Sequence, residues 1–187
     1  MKRNILYIFI PIILLSFFLI NCSGSAPITE EKTDNEKPTL TVDQQKQKAL
    51  EFFINGGVFE SQGNYESAVG QYEKALLYDS SAGLYYTLAK NYVYLNKLVP
   101  ALNYSQKALE LDSTKIEYYD LLADIYNYGN KTESAITTLE KAIELDSMNI
   151  ELNYKLARLY EADKPLKAVK LYNRILYQVG PDWSVLT

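Results

Sequence analysis

Three segments of this chain nearly superimpose: Ala75-Leu76-Leu77-Tyr78-Asp79-Ser80, Ala108-Leu109-Glu110-Leu111-Asp112-Ser113 and Ala142-Ile143-Glu144-Leu145-Asp146-Ser147, at spacings of 33 and 34 residues. The small residues Ala68, Ala101, Ala135 and Ala168 recur at 33, 34 and 33, and Thr87-Leu88-Ala89, Leu121-Leu122-Ala123 and Lys155-Leu156-Ala157 at 34 and 34. A fixed period of this length marks one supersecondary unit used repeatedly. No such unit buries its own apolar face, so a core forms only by stacking. Within each unit the pairs Leu88/Tyr92, Leu122/Tyr126 and Leu156/Tyr160 are spaced i, i+4, which predicts a first helix. Ala101, Leu102, Ala108 and Leu109 predict a second. Breaks fall at Gly63-Asn64, Asn96-Lys97, Gly129-Asn130-Lys131 and Asp163-Lys164-Pro165, all turn-forming. Each Asp-Ser pair is expected to cap the first helix that follows it.

These residues resemble the tetratricopeptide repeat. Its template asks for a large residue, Leu then a small residue, and an aromatic on the first helix; the second helix carries Ala, an aromatic and Ala. Repeat one (49–81) supplies Phe52, Gly56, Phe59, Tyr65, Ala68, Tyr72 and Ala75, and repeat two (82–115) Tyr85, Leu88, Ala89, Tyr92, Ala101 and Ala108. Repeat three (116–149) supplies Tyr119, Leu122, Ala123, Tyr126, Ala135, Leu139 and Ala142, and repeat four (150–180) Leu156, Ala157, Tyr160, Ala168 and Tyr172. Asn55, Ser105 and Asn153 depart from the template. The resemblance implies an all-α solenoid of about four hairpins over residues 43–187, a right-handed superhelix whose first helices line a concave groove.

The same resemblance places Phe53, Tyr86, Tyr94, Tyr128 and Tyr154 toward that groove. Tyr86, Lys90 and Tyr94 are spaced i, i+4, i+8 and form one helical stripe; Asp120, Asp124 and Tyr128 form the matching one, continued by Tyr154 and Arg158. Tyrosine brings large contact area at small entropic cost. One reading is therefore a groove clasping a peptide, with Lys90 and Arg158 meeting acidic groups and Asp124 basic ones. The other is that these charges pair across neighbouring helices. Some members of the family clamp a chaperone C-terminus with Lys and Asn; Phe53 and Gly57 stand at those places here, so that clamp is not expected.

Composition narrows the chemistry. With no His, the Ser/His and Cys/His nucleophilic systems and imidazole metal sites are excluded, and one Cys excludes an internal disulfide framework. A net charge of −4 without a basic block argues against nucleic acid. No catalytic residues, metal or cofactor are expected, and the chain reads as a non-enzyme.

Residues 1–21 read as an export signal: Lys2 and Arg3, then an apolar run from Ile5 to Ile20 that is short for a bilayer span. Leu19-Ile20-Asn21-Cys22 resembles the lipobox of bacterial lipoproteins, which implies lipid attachment at Cys22, although Asn21 departs from the usual small residue. Residues 22–42, rich in Pro, Ser, Thr and charge, read as a flexible tether. The expected location is a bacterial membrane reached through the lipid anchor, the outer one where two exist, facing the periplasm. The last helix spreads Leu166, Val169, Leu171, Ile175, Leu176 and Val179 over more than one face; either Trp183 folds back over them or a second copy covers them. The expected role is a membrane-tethered adaptor or scaffold for an envelope protein or peptide. The alternatives are a structural component self-associating through the C-terminal helix, or an assembly factor of the pilotin type.

Overall fold

The computed structural model describes residues 40–180. Eight helices follow in order: α1 (Val42–Ser61), α2 (Tyr65–Leu76), α3 (Ala82–Tyr94), α4 (Leu98–Leu111), α5 (Ile116–Tyr128), α6 (Thr132–Leu145), α7 (Ile150–Tyr160) and α8 (Pro165–Val179). There is no strand among the described residues. The helices pair α1–α2, α3–α4, α5–α6 and α7–α8, and each second helix also packs on the next first helix. This is an all-α solenoid of four hairpins. The signal, Cys22, most of the tether and Trp183 lie outside the described residues.

Local chemistry sets the helix ends. Thr41 and Gln44 form a reciprocal cap on α1, Thr41 Oγ1 accepting from Gln44 N–H at 3.3 Å and Gln44 Oε1 from Thr41 N–H at 2.9 Å. Helix α1 thus begins well ahead of the repeat boundary at 49. The turns inside the first three hairpins share one device. Gly63, Asn96 and Asn130 adopt positive φ (72°, 55° and 55°), and the following N–H returns to a carbonyl of the last helical turn: Asn64 to Phe59 at 2.9 Å, Lys97 to Tyr92 at 2.9 Å, Lys131 to Tyr126 at 2.8 Å. Asn and Gly are the residues that tolerate this conformation.

The Asp-Ser pairs behave differently from the expectation. Asp79, Asp112 and Asp146 accept the N–H two residues on, from Ser81, Thr114 and Met148 at 3.0, 2.9 and 3.0 Å, which closes the turn rather than the helix. The N-cap positions are Ser81, Lys115 and Asn149, and of these only Asn149 accepts a helix N–H with its side chain, from Leu152.

Packing follows the alternation of small and large. Ala68, Ala89, Ala101, Ala108, Ala135, Ala142 and Ala157 are fully buried, and Leu88, Leu139, Leu152, Tyr72 and Ile175 are the large side chains buried with them. Two apolar clusters result, one in repeats one and two around Tyr72, Leu84 and Leu88, the other in repeats three and four around Leu139, Leu152 and Leu156. Repeat three buries Tyr118, which stands in line with Leu84 and Leu152, while Tyr119 is only half-buried. Across successive seams Tyr92 donates to Glu73 at 2.6 Å, Gln106 to the Tyr126 hydroxyl at 3.2 Å, and Tyr160 to Glu140.

Gly56 marks the closest approach in the first hairpin. A Cβ there would sit 2.5 Å from Tyr72 Cε1 and 2.6 Å from Cδ1. The Tyr72 ring is buried and its hydroxyl is held by Glu60 at 2.7 Å, so it cannot swing aside. The other repeats carry Ala89, Ala123 and Ala157 here, opposite Ser105, Leu139 and Tyr172. Gly56→Ala is expected to lower the thermal midpoint. Overpacking costs about 1–3 kcal/mol, against about 1 kcal/mol gained from helix propensity. Tyr72→Leu in the same chain should recover part of the loss; a midpoint that rises on Gly56→Ala alone would refute the clash.

Candidate groove along the first helices

The 33- to 34-residue register puts equivalent side chains in rows across α1, α3, α5 and α7. One row is Phe53, Tyr86, Asp120 and Tyr154; the next is Gly57, Lys90, Asp124 and Arg158; a third contains Tyr94 and Tyr128. Tyr94, Tyr128, Phe53 and Tyr154 are 55, 59, 41 and 38 % exposed, far above the buried template positions. Several of the rings are braced from behind: Phe53 lies 5.4 Å from Tyr72, Tyr86 5.0 Å from Tyr118, Tyr94 4.5 Å from Tyr65 and Tyr154 6.1 Å from Tyr172. Such bracing fixes an exposed ring in one orientation, which lowers the entropy lost on contact.

The charges divide between the two readings. Lys90 is engaged by Glu60 of α1 at 2.7 Å, so it closes the α1–α3 seam. Glu60 is a hub: it also accepts from Tyr72 at 2.7 Å and from Asn91 Nδ2 at 3.0 Å. Burial pushes the Glu60 carboxyl up, but hydrogen bonds from Asn91, Lys90 and Tyr72 outweigh it and hold the group below the usual glutamate range. On the far side, Lys155 Nζ lies 2.6 Å from Asp120, 3.0 Å from Asp124 and 3.7 Å from Glu151. Burial pushes the Asp124 carboxyl above the ordinary aspartate value, and Asp120 and Glu151 add to the rise that Lys155 opposes. Arg158 is exposed, and no ion pair to it occurs among the described residues.

Lys90 and Asp124 therefore pair across neighbouring helices, but with Glu60 and Lys155 rather than with each other or Arg158. Sequence reasoning missed both partners. Glu60 sits thirty residues before Lys90, a separation without a local signal; Lys155 did have one, lying i+4 from Glu151 on the same helix.

Two cavities open along this side. One, of about 460 Å³, lies where the extra length of α1 rises beside the start of α3; it is lined mainly by Val42, Ala49, Leu50, Phe53 and Leu84, with Lys46 and Asp79 among its polar residues. The other, of about 530 Å³, lies between α5 and α7; it sets the charged Asp124, Glu151, Lys155 and Arg158 around an apolar base of Ala123, Leu139 and Leu159, with Tyr154 beside them. The first is built by the turns of α1 that precede the repeat boundary at 49. Among the described residues no group of acidic or thiol side chains is arranged to hold a metal ion, and no helix is long and apolar enough to cross a membrane.

At the other end of the solenoid α8 leaves Leu166, Val169 and Tyr177 80, 53 and 90 % exposed while burying Ile175 and packing Ala168 and Leu171 into the cluster that holds Leu156, Ala157 and Tyr160 of α7. Val169 stands where Val69 and Ile136 are covered by a following first helix.

Comparison with known proteins agrees with this architecture. Residues 123–163 match the family described as TPR repeat. No curated protein matches the sequence. Among solved structures, the chain is similar to MamA (residues 41 to the end) from Desulfovibrio magneticus RS-1, at 18 % identity and a TM-score of 0.67 over 75 % of this chain and 81 % of that one. It is similar to YrrB, described as a TPR protein with an unusual peptide-binding site, at 22 % identity and a TM-score of 0.64 over 76 % and 74 %. A third similar structure is the first TPR of Spaghetti (RPAP3) bound to the HSP90 peptide SRMEEVD, at 26 % identity and a TM-score of 0.57 over 62 % and 95 %. The described residues thus have the tetratricopeptide-repeat fold, with a family match centred on the third and fourth hairpins.

Proposed function

We propose that this chain is a membrane-tethered adaptor that holds a protein or peptide segment along its first helices. The observation that carries the reading is the set of exposed, braced rings on the first helices, Phe53 and Tyr154 in one row and lining the two cavities, Tyr94 in another. Rigid aromatic anchors next to pockets are the usual seat of binding energy. Structures of similar fold include one solved with a bound chaperone peptide and one described by its peptide-binding site. The anchor belongs to the proposal as well: Cys22 would carry the lipid and the following residues would let the solenoid swing beside a bacterial membrane.

The test joins the two halves. A photo-reactive residue in place of Tyr128, which is 59 % exposed, should cross-link a partner in intact cells. That product should be lost when Tyr94 and Tyr154 are changed to Ala. Metabolic labelling with a fatty acid should disappear in Cys22→Ser. Persistent labelling would refute the anchor, and cross-links only between copies of this chain would replace the adaptor with a self-associating component. The exposed Leu166, Val169 and Tyr177 of α8 favour that second reading. Against a symmetric α8–α8 pair stand Lys167, Lys170 and Arg174 on a helix without a carboxylate, which would meet their own copies.

A further inference from the structure

We infer that the groove takes an extended segment bearing two marks: a bulky apolar side chain for the α1–α3 cleft and a Lys or Arg for the α5–α7 cavity. This rests on the adaptor reading and specifies the partner it requires.

The two ends of the groove differ in kind. At the α1–α3 end, Val42 and Leu50 are 66 and 58 % exposed and Phe53 41 %, around a cleft whose floor is Ala49 and Leu84. The overhanging first turns of α1 build this wall, and no other first helix has such an extension. A cleft of that lining gains from an apolar side chain that displaces water.

At the α5–α7 end the charge is unbalanced. Glu117, Asp120, Asp124 and Glu151 stand on these two first helices against Lys155 and Arg158. Lys155 is already shared by three of the carboxylates, and the raised Asp124 carboxyl reflects burial without full compensation. A further cation entering beside Tyr154 would relieve that, whereas an anion, though Arg158 could meet it, would face the excess carboxylates. Tyr154 also offers a ring face to a cationic head.

The stretch between is self-satisfied. Tyr86 is packed on Tyr118 and Lys90 is closed onto Glu60, so it offers a floor, not a pocket. Two discrete cavities suit an extended chain; a helical ligand wants a continuous apolar trough. Successive first helices are roughly 10 Å apart, so the cavities lie roughly 20 Å apart, or about six residues of extended chain.

The experiment is selection of displayed random decapeptides on the full-length protein, followed by binding of the enriched peptides to variants. Enriched peptides should share a bulky apolar residue and a Lys or Arg about six positions apart. Leu50→Glu, at an exposed site, should abolish the apolar preference. Asp124→Asn with Glu151→Gln should abolish the basic preference and weaken selected peptides about tenfold. Circular dichroism of each variant controls for folding. Enrichment of Asp or Glu at the second mark, a basic preference that survives the double variant, or no enrichment would overturn the inference. Peptides that lack the pattern yet lose binding in Tyr154→Ala would sink this inference alone. Peptides that bind regardless of Tyr94, Tyr128 and Tyr154 would sink the groove reading itself.

Discussion

Leu88→Ala is expected to cost about 2–5 kcal/mol and to split the unfolding of the solenoid into two steps. Leu88 is fully buried and belongs to the cluster of Ala68, Val69, Tyr72, Ala75 and Leu84, so its removal leaves a cavity at the seam between the first two repeats. The other cluster, around Leu139, Leu152 and Leu156, shares no member with it. In a stack whose units touch only their neighbours, stability is a sum of unit and interface energies, so damage at one seam stays local. Urea unfolding followed by circular dichroism should therefore show an early transition from repeats one and two and a later one near the wild-type midpoint. Hydrogen exchange should place the lost protection in α1 to α4. Leu77→Ala, 76 % exposed, should change stability by no more than about 0.5 kcal/mol. A single transition for Leu88→Ala with a loss below about 1 kcal/mol would refute the seam argument.

What could be read from the sequence was what repetition controls. The small residues at 33- to 34-residue spacing identified the buried alanines, and the Gly/Asn breaks identified the three left-handed turns, because each follows from one local requirement repeated. Departures from the template are explained by position in the stack. Asn55 and Glu51 stand in line with Leu88 and Leu84, yet both are exposed, because among the described residues no hairpin precedes α1 to cover them. Asn153 is fully buried where the template asks for a large residue; its amide donates to the Ser147 and Asn149 carbonyls at 3.0 and 2.7 Å and its oxygen accepts from Arg174 at 3.1 Å. Two of these partners lie in the α6–α7 turn and the third on α8, twenty-one residues away, so sequence spacing could not reveal the set. The groove was legible in its exposed rows but not in its pairings. Lys90 finds Glu60 and Asp124 finds Lys155 only because the superhelix sets neighbouring first helices side by side. The first turns of α1 follow no repeat pattern: Val42 to Lys48 has little apolar periodicity, and the Thr41–Gln44 cap starts the helix instead.

Alkaline pH is expected to unfold this protein more steeply than ordinary lysine titration would. Tyr72, Tyr92, Tyr160 and Tyr172 each donate a hydroxyl proton to a carboxylate: Glu60, Glu73, Glu140 and Glu161. Burial first, and then the facing carboxylate, pushes every one of these phenols up, Tyr172 to about 12 and the other three further. In the unfolded chain a tyrosine ionises near pH 10. Between that pH and the folded values the native state holds protons that the unfolded state has lost, so stability falls as pH rises; below about pH 10 the contribution is constant. Four groups losing protons together make the fall cooperative. The thermal midpoint should be nearly flat from neutral pH to about pH 9 and then drop sharply, with part of the tyrosinate absorbance appearing only as helix is lost. Tyr92→Phe with Tyr160→Phe removes the hydroxyls that cross the first and third seams. That variant should be somewhat less stable at neutral pH, where Glu73 and Glu140 lose a donor, yet show a visibly shallower alkaline limb. An unchanged limb in the double variant would assign the transition to lysines and remove the tyrosine–carboxylate bonds from the account of what holds the hairpins together.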